Sequence, residues 1–361
     1  MKSISIYRLN AILLLFISLT VILYFGKVFL VPLFFAILSG MLLLPVCNKL
    51  EQWGIGRIGS SLLGILIIVL FIAALFGIVI AQGTSMADDL PKMQAQSEQI
   101  LQQFQAYIET EFNVAPPEQM NYLQKGIKKM LESGSGLLSA FLSGVMGILT
   151  SFVLVILYFF FLMWKREKYE AFFLKMVRDE NRGEVQNELQ KITHVASQYL
   201  VGRLISMGFL AVFYMIGFSI VGLQNGLLVA LVAVIPTIVP YVGAFVGSLF
   251  PLALALIGGD SGIILPVIVI LVIAQIIDNN IIEPLVEGQS LSISPIFTIV
   301  AIVLGELVWG VAGMILFLPM FAILKIVCDH IPSLHPYSFL LENEAEESKW
   351  LEKFKGWFGK K

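Results

Sequence analysis

Long, uninterrupted apolar runs are the feature of this 361-residue sequence that most constrains its fold. A helix needs about 20 apolar residues to cross a bilayer. Since backbone groups in lipid must be hydrogen-bonded within their own segment, such runs are predicted to be helical. They lack the regular apolar–polar alternation of a membrane β-barrel. The sequence therefore predicts an all-α integral membrane protein with about eight transmembrane segments, at approximately 9–25, 28–46, 60–82, 137–164, 202–222, 226–257, 262–282 and 294–328.

The composition supports a membrane protein and argues against other classes. Charged residues make up 13% of the chain, whereas soluble domains carry about 25%. The net charge of −2 offers no basic surface for nucleic acid. Two widely separated cysteines and three scattered histidines form no metal-binding motif. The sequence shows no nucleophile–base pair or phosphate-binding loop, so we expect neither an enzyme nor a bound cofactor or metal.

Two polar inserts and the placement of Lys and Arg divide the chain. Basic residues precede the first apolar segment, separate the second from the third and follow the fourth. This pattern predicts that these three regions are cytoplasmic. The predicted divisions are three transmembrane helices in 1–82, an extracytoplasmic amphipathic helical insert in 83–135, a fourth transmembrane helix in 136–164, a charged cytoplasmic helical segment in 165–200, a transport core with broken helices in 201–330 and a cytoplasmic amphipathic tail in 331–361.

The apolar segment 226–257 contains signals for a helix break. Pro236 and Pro240 each remove a backbone donor and clash with the preceding turn, so a straight helix is not expected there. Gly243 follows closely, and the segment is too long for one untilted crossing. We expect a broken helix or a re-entrant hairpin, with a proline-kinked structural helix as the alternative. In transporters such breaks free backbone groups at membrane depth for binding.

A polar cluster ends the next apolar segment. Asp278, Asn279 and Asn280 are followed by Glu283 and Pro284. A carboxylate at the centre of a membrane helix costs about 2.5–3.5 kcal/mol on insertion scales, which makes it a functional candidate. Carboxylates with amide neighbours suit a proton, a monovalent cation or a polar solute rich in hydroxyl groups. A solvated helix end before the proline is the structural alternative.

Two further charged residues stand in apolar surroundings. Glu306 lies between glycines in a long apolar run, and it is a candidate for binding or proton coupling unless the run breaks at the membrane surface. Arg203 opens the fifth segment, where it either extends to the inner headgroups or pairs with an inner carboxylate or an anionic substrate. Other predicted hinges, helix breaks or packing positions are Tyr241, Pro295, Gly305, Gly310, Gly313 and Pro319.

Short motifs run through the C-terminal half in a fixed order: Gln198-Tyr199, Gly202-Arg203, Pro240-Tyr241-Val242-Gly243, Asp278-Asn279-Asn280 with Pro284, Leu291, Pro295, Gly305, Gly310, Gly313 and Pro319. In this order and spacing they resemble the autoinducer-2 exporter family of bacterial permeases, and the resemblance covers essentially the whole chain. It implies a homo-oligomer in the inner membrane with cytoplasmic N- and C-termini. It also implies export of a small polar signal, or exchange of sodium or lithium for protons. Glu306 departs from the small residues that the family carries at its position.

Residues and resemblance together predict a permease whose substrate path lies in the C-terminal half. Asp278, Asn279 and Asn280 are predicted to supply polar ligands, with Glu283 or Glu306 as the protonatable group that couples transport to H⁺ or Na⁺. The cargo is expected to be a small polar solute or a monovalent cation. Two alternatives stay open at this point. One is an oligomeric channel with passive flux, and the other is a non-transporting membrane scaffold whose external helices bind a partner.

Overall fold

The computed structural model describes residues 6–74, 77, 152–223, 225–257, 261–286, 293–331 and 334–343. The insert predicted at 83–135 and the chain beyond residue 343 lie outside this part. The described residues form helices and turns, with one antiparallel bridge between Ile293 and Glu342. The helices are α1 Ile6–Phe25, α2 Lys27–Gln52, α3 Arg57–Ala74, α4 Phe152–Trp164, α5 Arg166–Lys175, α6 Arg182–Val221, α7 Gly226–Val234, α8 Val242–Ile257, α9 Ser261–Ile277, α10 Glu283–Val286, α11 Pro295–Trp309, α12 Val311–His330 and α13 His335–Leu341.

Five helical stretches in the described part of the chain are long and apolar enough to cross a membrane, and shorter apolar helices accompany them. The predicted all-α membrane fold, with interrupted helices in its C-terminal half, is therefore confirmed. The five stretches are Lys27–Gln52, Arg57–Ala74, Asp179–Val221, Gly262–Val286 and Val311–His330.

Helix α6 is the scaffold of the C-terminal half. Its 40 residues give it a length of about 60 Å, so it extends well beyond the thickness of a bilayer. Tyr199, Leu210, Tyr214 and Phe218 are buried along one stripe of this helix. α2, α7, α9 and α12 pack on α6. The candidate site described below is built against this one long helix.

Helices α7 and α8 form a hairpin that packs on α6 through α7. A short turn joins α6 to α7, with Gly222 and Asn225 in left-handed conformations (φ 75° and 53°). A 3₁₀ turn at the end of α7 places Thr237 against Arg203, about 27 Å back along α6 from its end. α8 then packs back along α7. The two arms have 9 and 16 helical residues, fewer than the roughly 20 that a crossing needs, so the break fits the predicted re-entrant hairpin.

Helices α11 and α12 form a second hairpin around Gly310, which has a φ of 63°. Gly305 and Gly313 face each other across it, and a Cβ on either glycine would overlap the carbonyl of the other. The turn of this hairpin lies beside the end of α1, where Trp309 Nε1 donates to the carbonyl of Leu23 at 2.8 Å. At the opposite end, α13 packs on α12.

Charged side chains join the ends of α2, α3 and α5. The Glu51 carboxylate accepts hydrogen bonds from Arg166 at 2.7 Å and from the Ser60 hydroxyl at 3.0 Å. Arg57 donates to Glu167 and lowers the pKa of that exposed carboxyl below its ordinary value. Two of the basic residues that predicted a common side for these segments, Arg57 and Arg166, therefore meet in one junction.

Candidate functional site

The helix that begins as α9 widens at the polar cluster. Glu283 donates its backbone N–H to the carbonyl of Asp278, five residues earlier, so Asp278–Ile282 forms one π turn. Pro284 has no N–H with which to continue the α-helical pattern. In a regular α-helix, residues five apart point about 140° away from each other. The π turn absorbs the additional residue, and both carboxylates reach α6.

Asp278 is held against Ser206 of α6. The Ser206 hydroxyl lies 2.7 Å and 2.8 Å from the two carboxylate oxygens. Ser206 is 0% exposed and Asp278 is 2% exposed. A hydroxyl carries one proton, whereas an ionised carboxylate has about four sites that accept hydrogen bonds. In the described part of the chain Asp278 has no other side-chain hydrogen-bond partner, so as an anion it is poorly satisfied.

Arg203 lies one turn before Ser206 on the same face of α6 and connects two elements. It is only 6% exposed. One terminal nitrogen donates to the Glu283 carboxylate, and the other donates to the backbone carbonyl of Thr237 in the 3₁₀ turn. The alternative in which Arg203 extends to the headgroups is wrong, because the protein buries this guanidinium and pairs it with an inner carboxylate.

A third polar pair extends the same interface. Gln275 of α9 donates to the Tyr214 hydroxyl of α6 at 3.2 Å. The three pairs occur in opposite order along the two helices, which shows that α6 and α9 are antiparallel. Polar contacts therefore form a ladder from the Arg203–Glu283 ion pair to Tyr214, through an otherwise apolar interface.

The other predicted ligands are not part of this buried group. Asn279 and Asn280 are exposed, and the Asn280 amide donates to the carbonyl of Ile276 at 2.8 Å. Glu306 is exposed one turn before Gly310, and its carboxylate has no hydrogen-bond or ion-pair partner among the described residues. The structure thus brings together Asp278, Glu283 and Arg203 and leaves Glu306 in a separate helix pair.

The predicted hinge positions fall at or near helix ends and helix contacts. Tyr241 has a φ of 61° between the two arms of the first hairpin. Pro295 is the first residue of α11, and Pro319 is buried within α12. Pro236 and Pro240 flank the extended residue Val239 at the hairpin tip.

Ser206 and Thr237 are site residues that the sequence argument missed. Both are buried, and both are polar residues in long apolar runs. The available signal for Ser206 was its i+3 spacing from Arg203, which puts the two on one helix face. For Thr237 the signal was its position between two prolines, which interrupt the helix and its backbone hydrogen bonds.

The oxygen atoms of this site can accept a proton or coordinate a cation. A buried carboxylate must be protonated, paired or bound to a cation. No group of three or more His, Cys, Asp or Glu residues capable of holding a metal ion is present among the described residues. Hydroxyl, carboxylate and carbonyl oxygens are hard ligands, which suit a proton or a hard cation better than a soft metal.

Comparison with known proteins agrees with a transport site. A family model described as AI-2E family transporter matches residues 13–333. The chain is similar to YueF of Bacillus subtilis, with 25% identity over 314 residues that cover 82% of this chain and 84% of that protein. It is similar to PerM of Escherichia coli K12, with 24% identity over 337 residues that cover 89% and 93%. YueF is provisionally named a transport protein, and PerM is provisionally named a permease. With the membrane-spanning helices described above, this match over nearly the whole chain shows that the protein belongs to the AI-2E family of membrane transporters.

Proposed function

We propose that this transporter exchanges a monovalent cation, Na⁺ or Li⁺, for a proton at Asp278. The observation that supports the proposal is a carboxylate, 2% exposed, inside the apolar span Gly262–Val286. Its side chain is met there by the Ser206 hydroxyl. An isolated charge is costly in lipid, so Asp278 favours a proton or a cation over an empty ionised state.

The charges around Asp278 support a single positive charge as cargo. Glu283 is already paired with Arg203, so their formal charges cancel. Asp278 then carries the one uncompensated negative charge of the buried group. A proton or a monovalent cation would neutralise it, whereas a divalent cation would leave an excess charge and an anion would be repelled.

Orientation and assembly belong to the same proposal. The basic residues at the α2–α5 junction support placing this end of the molecule at the cytoplasmic face of a bacterial inner membrane. The N- and C-termini would then be cytoplasmic. The family resemblance supports a homo-oligomer in the lipid bilayer. Because the hairpin follows the end of α6 that lies away from this basic junction, it would then enter from the outer face.

The test uses sealed proteoliposomes that contain the full chain and an internal pH dye. A pulse of Na⁺ or Li⁺ should drive saturable proton movement in the wild-type protein. Asp278→Asn should reduce this flux to the level of protein-free liposomes, because the amide cannot exchange a proton for a cation. Ser206→Ala should weaken the apparent cation affinity while leaving a measurable flux.

Glu306→Gln is the matched control, since it also removes one carboxylate from an apolar helix. It should retain wild-type flux. If Glu306→Gln abolished the flux and Asp278→Asn did not, the site would be misplaced. If correctly folded wild-type protein gave no cation-driven proton movement, cation exchange would be rejected. Uptake of small hydroxylated solutes would then be measured, and flux without saturation would favour a channel.

A further inference from the structure

We infer that Arg203 is a positioning residue that latches the tip of the α7–α8 hairpin beside Asp278, and that release of this latch opens the site. The inference rests on the proposed function only in taking Asp278 as the group that must become accessible. Arg203, Ser206, Thr237 and Asp278 are all buried, so the site is closed in this structure. A transporter has to open such a site, and some element must therefore move.

The tip of the hairpin, residues 235–241, packs on α6 but makes few hydrogen bonds outside the hairpin. Most of its hydrogen bonds stay within the hairpin, such as those from the Thr237 hydroxyl to the carbonyl of Val234 and from Gly243 N–H to the carbonyl of Val239. Among the described residues, the bond from Arg203 to the Thr237 carbonyl is the only hydrogen bond or ion pair that joins the tip to another element. The hydrogen bond from Arg203 is thus the polar contact that joins the tip to α6.

The hairpin itself is built to move as one body. Gly243 and Gly247 of α8 lie directly against the carbonyls of Pro236 and Ala233, where a Cβ would overlap them. Such close backbone contact locks the two arms together. The entry turn has left-handed residues at Gly222 and Asn225, so a change of direction is concentrated there. Movement at this turn would swing the tip without separating the two arms from each other, while α7 shifts against α6.

Arg203 can change partners without losing all of its contacts. Its Nε is buried and has no hydrogen-bond acceptor in the described part of the chain. Its charged neighbours within reach of the site are Glu283 and Asp278, with Tyr214 as the next titratable group along α6. An empty, ionised Asp278 would compete with the Thr237 carbonyl for this guanidinium. Cargo at Asp278 would remove that competition and favour the latched tip.

The experiment measures exposure of the tip directly, without any transport. Thr237→Cys is a near-isosteric reporter, and it leaves the backbone carbonyl that Arg203 binds. Full-length protein in liposomes is treated with a water-soluble maleimide, and modification at each cysteine is followed by mass spectrometry. Arg203→Gln should accelerate labelling at position 237 by about tenfold or more, which corresponds to about 1.4 kcal/mol of lost latching. The double variant Arg203→Gln/Glu283→Gln should give the same result without leaving an unpaired Glu283.

Two controls separate a latch from a general structural role. The buried native cysteines Cys47 and Cys328 lie outside the hairpin and report loosening of the whole fold. Their labelling should stay unchanged. Arg166→Gln removes another partly buried, ion-paired arginine and should leave position 237 protected.

Equal labelling of position 237 with and without Arg203, or a parallel rise at all three cysteines, would overturn the latch. Because labelling needs no cargo, the outcome does not depend on the proteoliposome flux. Loss of the cation-exchange proposal with selective exposure at position 237 would leave the latch standing.

Discussion

Substitution of Gly243 by Ala should destabilise the protein because it separates the arms of the re-entrant hairpin. A Cβ at this position would overlap the carbonyl of Pro236 and lie 2.5 Å from the Cα of Thr237. These are backbone atoms within a short turn, so they cannot rotate away as a flexible side chain would. The arms must therefore shift apart.

The magnitude follows from the kind of overlap. Overpacking of a close contact costs about 1–3 kcal/mol, and contact with backbone belongs at the upper end of this range. Gly208→Ala in α6 is the matched control, since a Cβ there meets nothing within 4 Å. Ala is favoured over Gly within a helix by about 0.5–1 kcal/mol. The two Gly→Ala substitutions should therefore change the free energy of unfolding in opposite directions, with a difference of about 3 kcal/mol.

Denaturant unfolding of the purified protein in detergent micelles measures this difference. Gly243→Ala should unfold at a lower denaturant concentration than the wild-type protein, and Gly208→Ala at the same or a higher one. In the Thr237→Cys background, Gly243→Ala should also increase maleimide labelling of the tip. If Gly243→Ala were as stable as Gly208→Ala, the close packing of the hairpin described above would be wrong.

Two further substitutions test the rest of the architecture by the same unfolding assay. Gly305→Ala should cost about 1–3 kcal/mol, because its Cβ would overlap the backbone carbonyl of Gly313 in α12; an unchanged stability would contradict the α11–α12 contact. Glu51→Gln should cost about 1–3 kcal/mol, because the partly buried Arg166 would lose its charged partner; an unchanged unfolding midpoint would show that this junction is dispensable.

The membrane fold could be predicted from the sequence, because the length of the apolar segments and the positions of the prolines are local signals. Pro236 and Pro240 predicted the interruption of 226–257, since proline removes a backbone donor wherever the chain goes. Whether that interruption was a crossing or a re-entrant hairpin could not be predicted. The answer depends on the contact between Thr237 and Arg203, which are distant in sequence.

Only part of the candidate site could be predicted from the sequence, because its residues are brought together by contacts between distant parts of the chain. Asp278 and Glu283 stood out as carboxylates in an apolar context, but regular helical geometry would have turned them apart. Their alignment depends on the π turn before Pro284. Glu306 stood out equally by context, yet it is exposed near the turn of a different hairpin. Sequence context identifies intramembrane charge, whereas tertiary packing decides which charges meet.

The arrangement of charges predicts that the two carboxylates of the site, Asp278 and Glu283, have different roles in cation binding. Glu283 is engaged by Arg203, whereas Asp278 is met by the Ser206 hydroxyl. In the Glu283→Gln variant the guanidinium would lose its carboxylate partner and move toward Asp278, where it would compete with the cation. The apparent cation affinity should fall by about tenfold or more, because a hydrogen bond to a charged group contributes about 1.5–3 kcal/mol. Flux should recover at high Na⁺ or Li⁺ concentration, whereas in Asp278→Asn no concentration should restore it.

Measuring flux in proteoliposomes over a wide range of cation concentration separates the two behaviours. If no cation concentration restored flux in Glu283→Gln either, the two carboxylates would act as one binding unit. The separate roles assigned to them here would then be wrong.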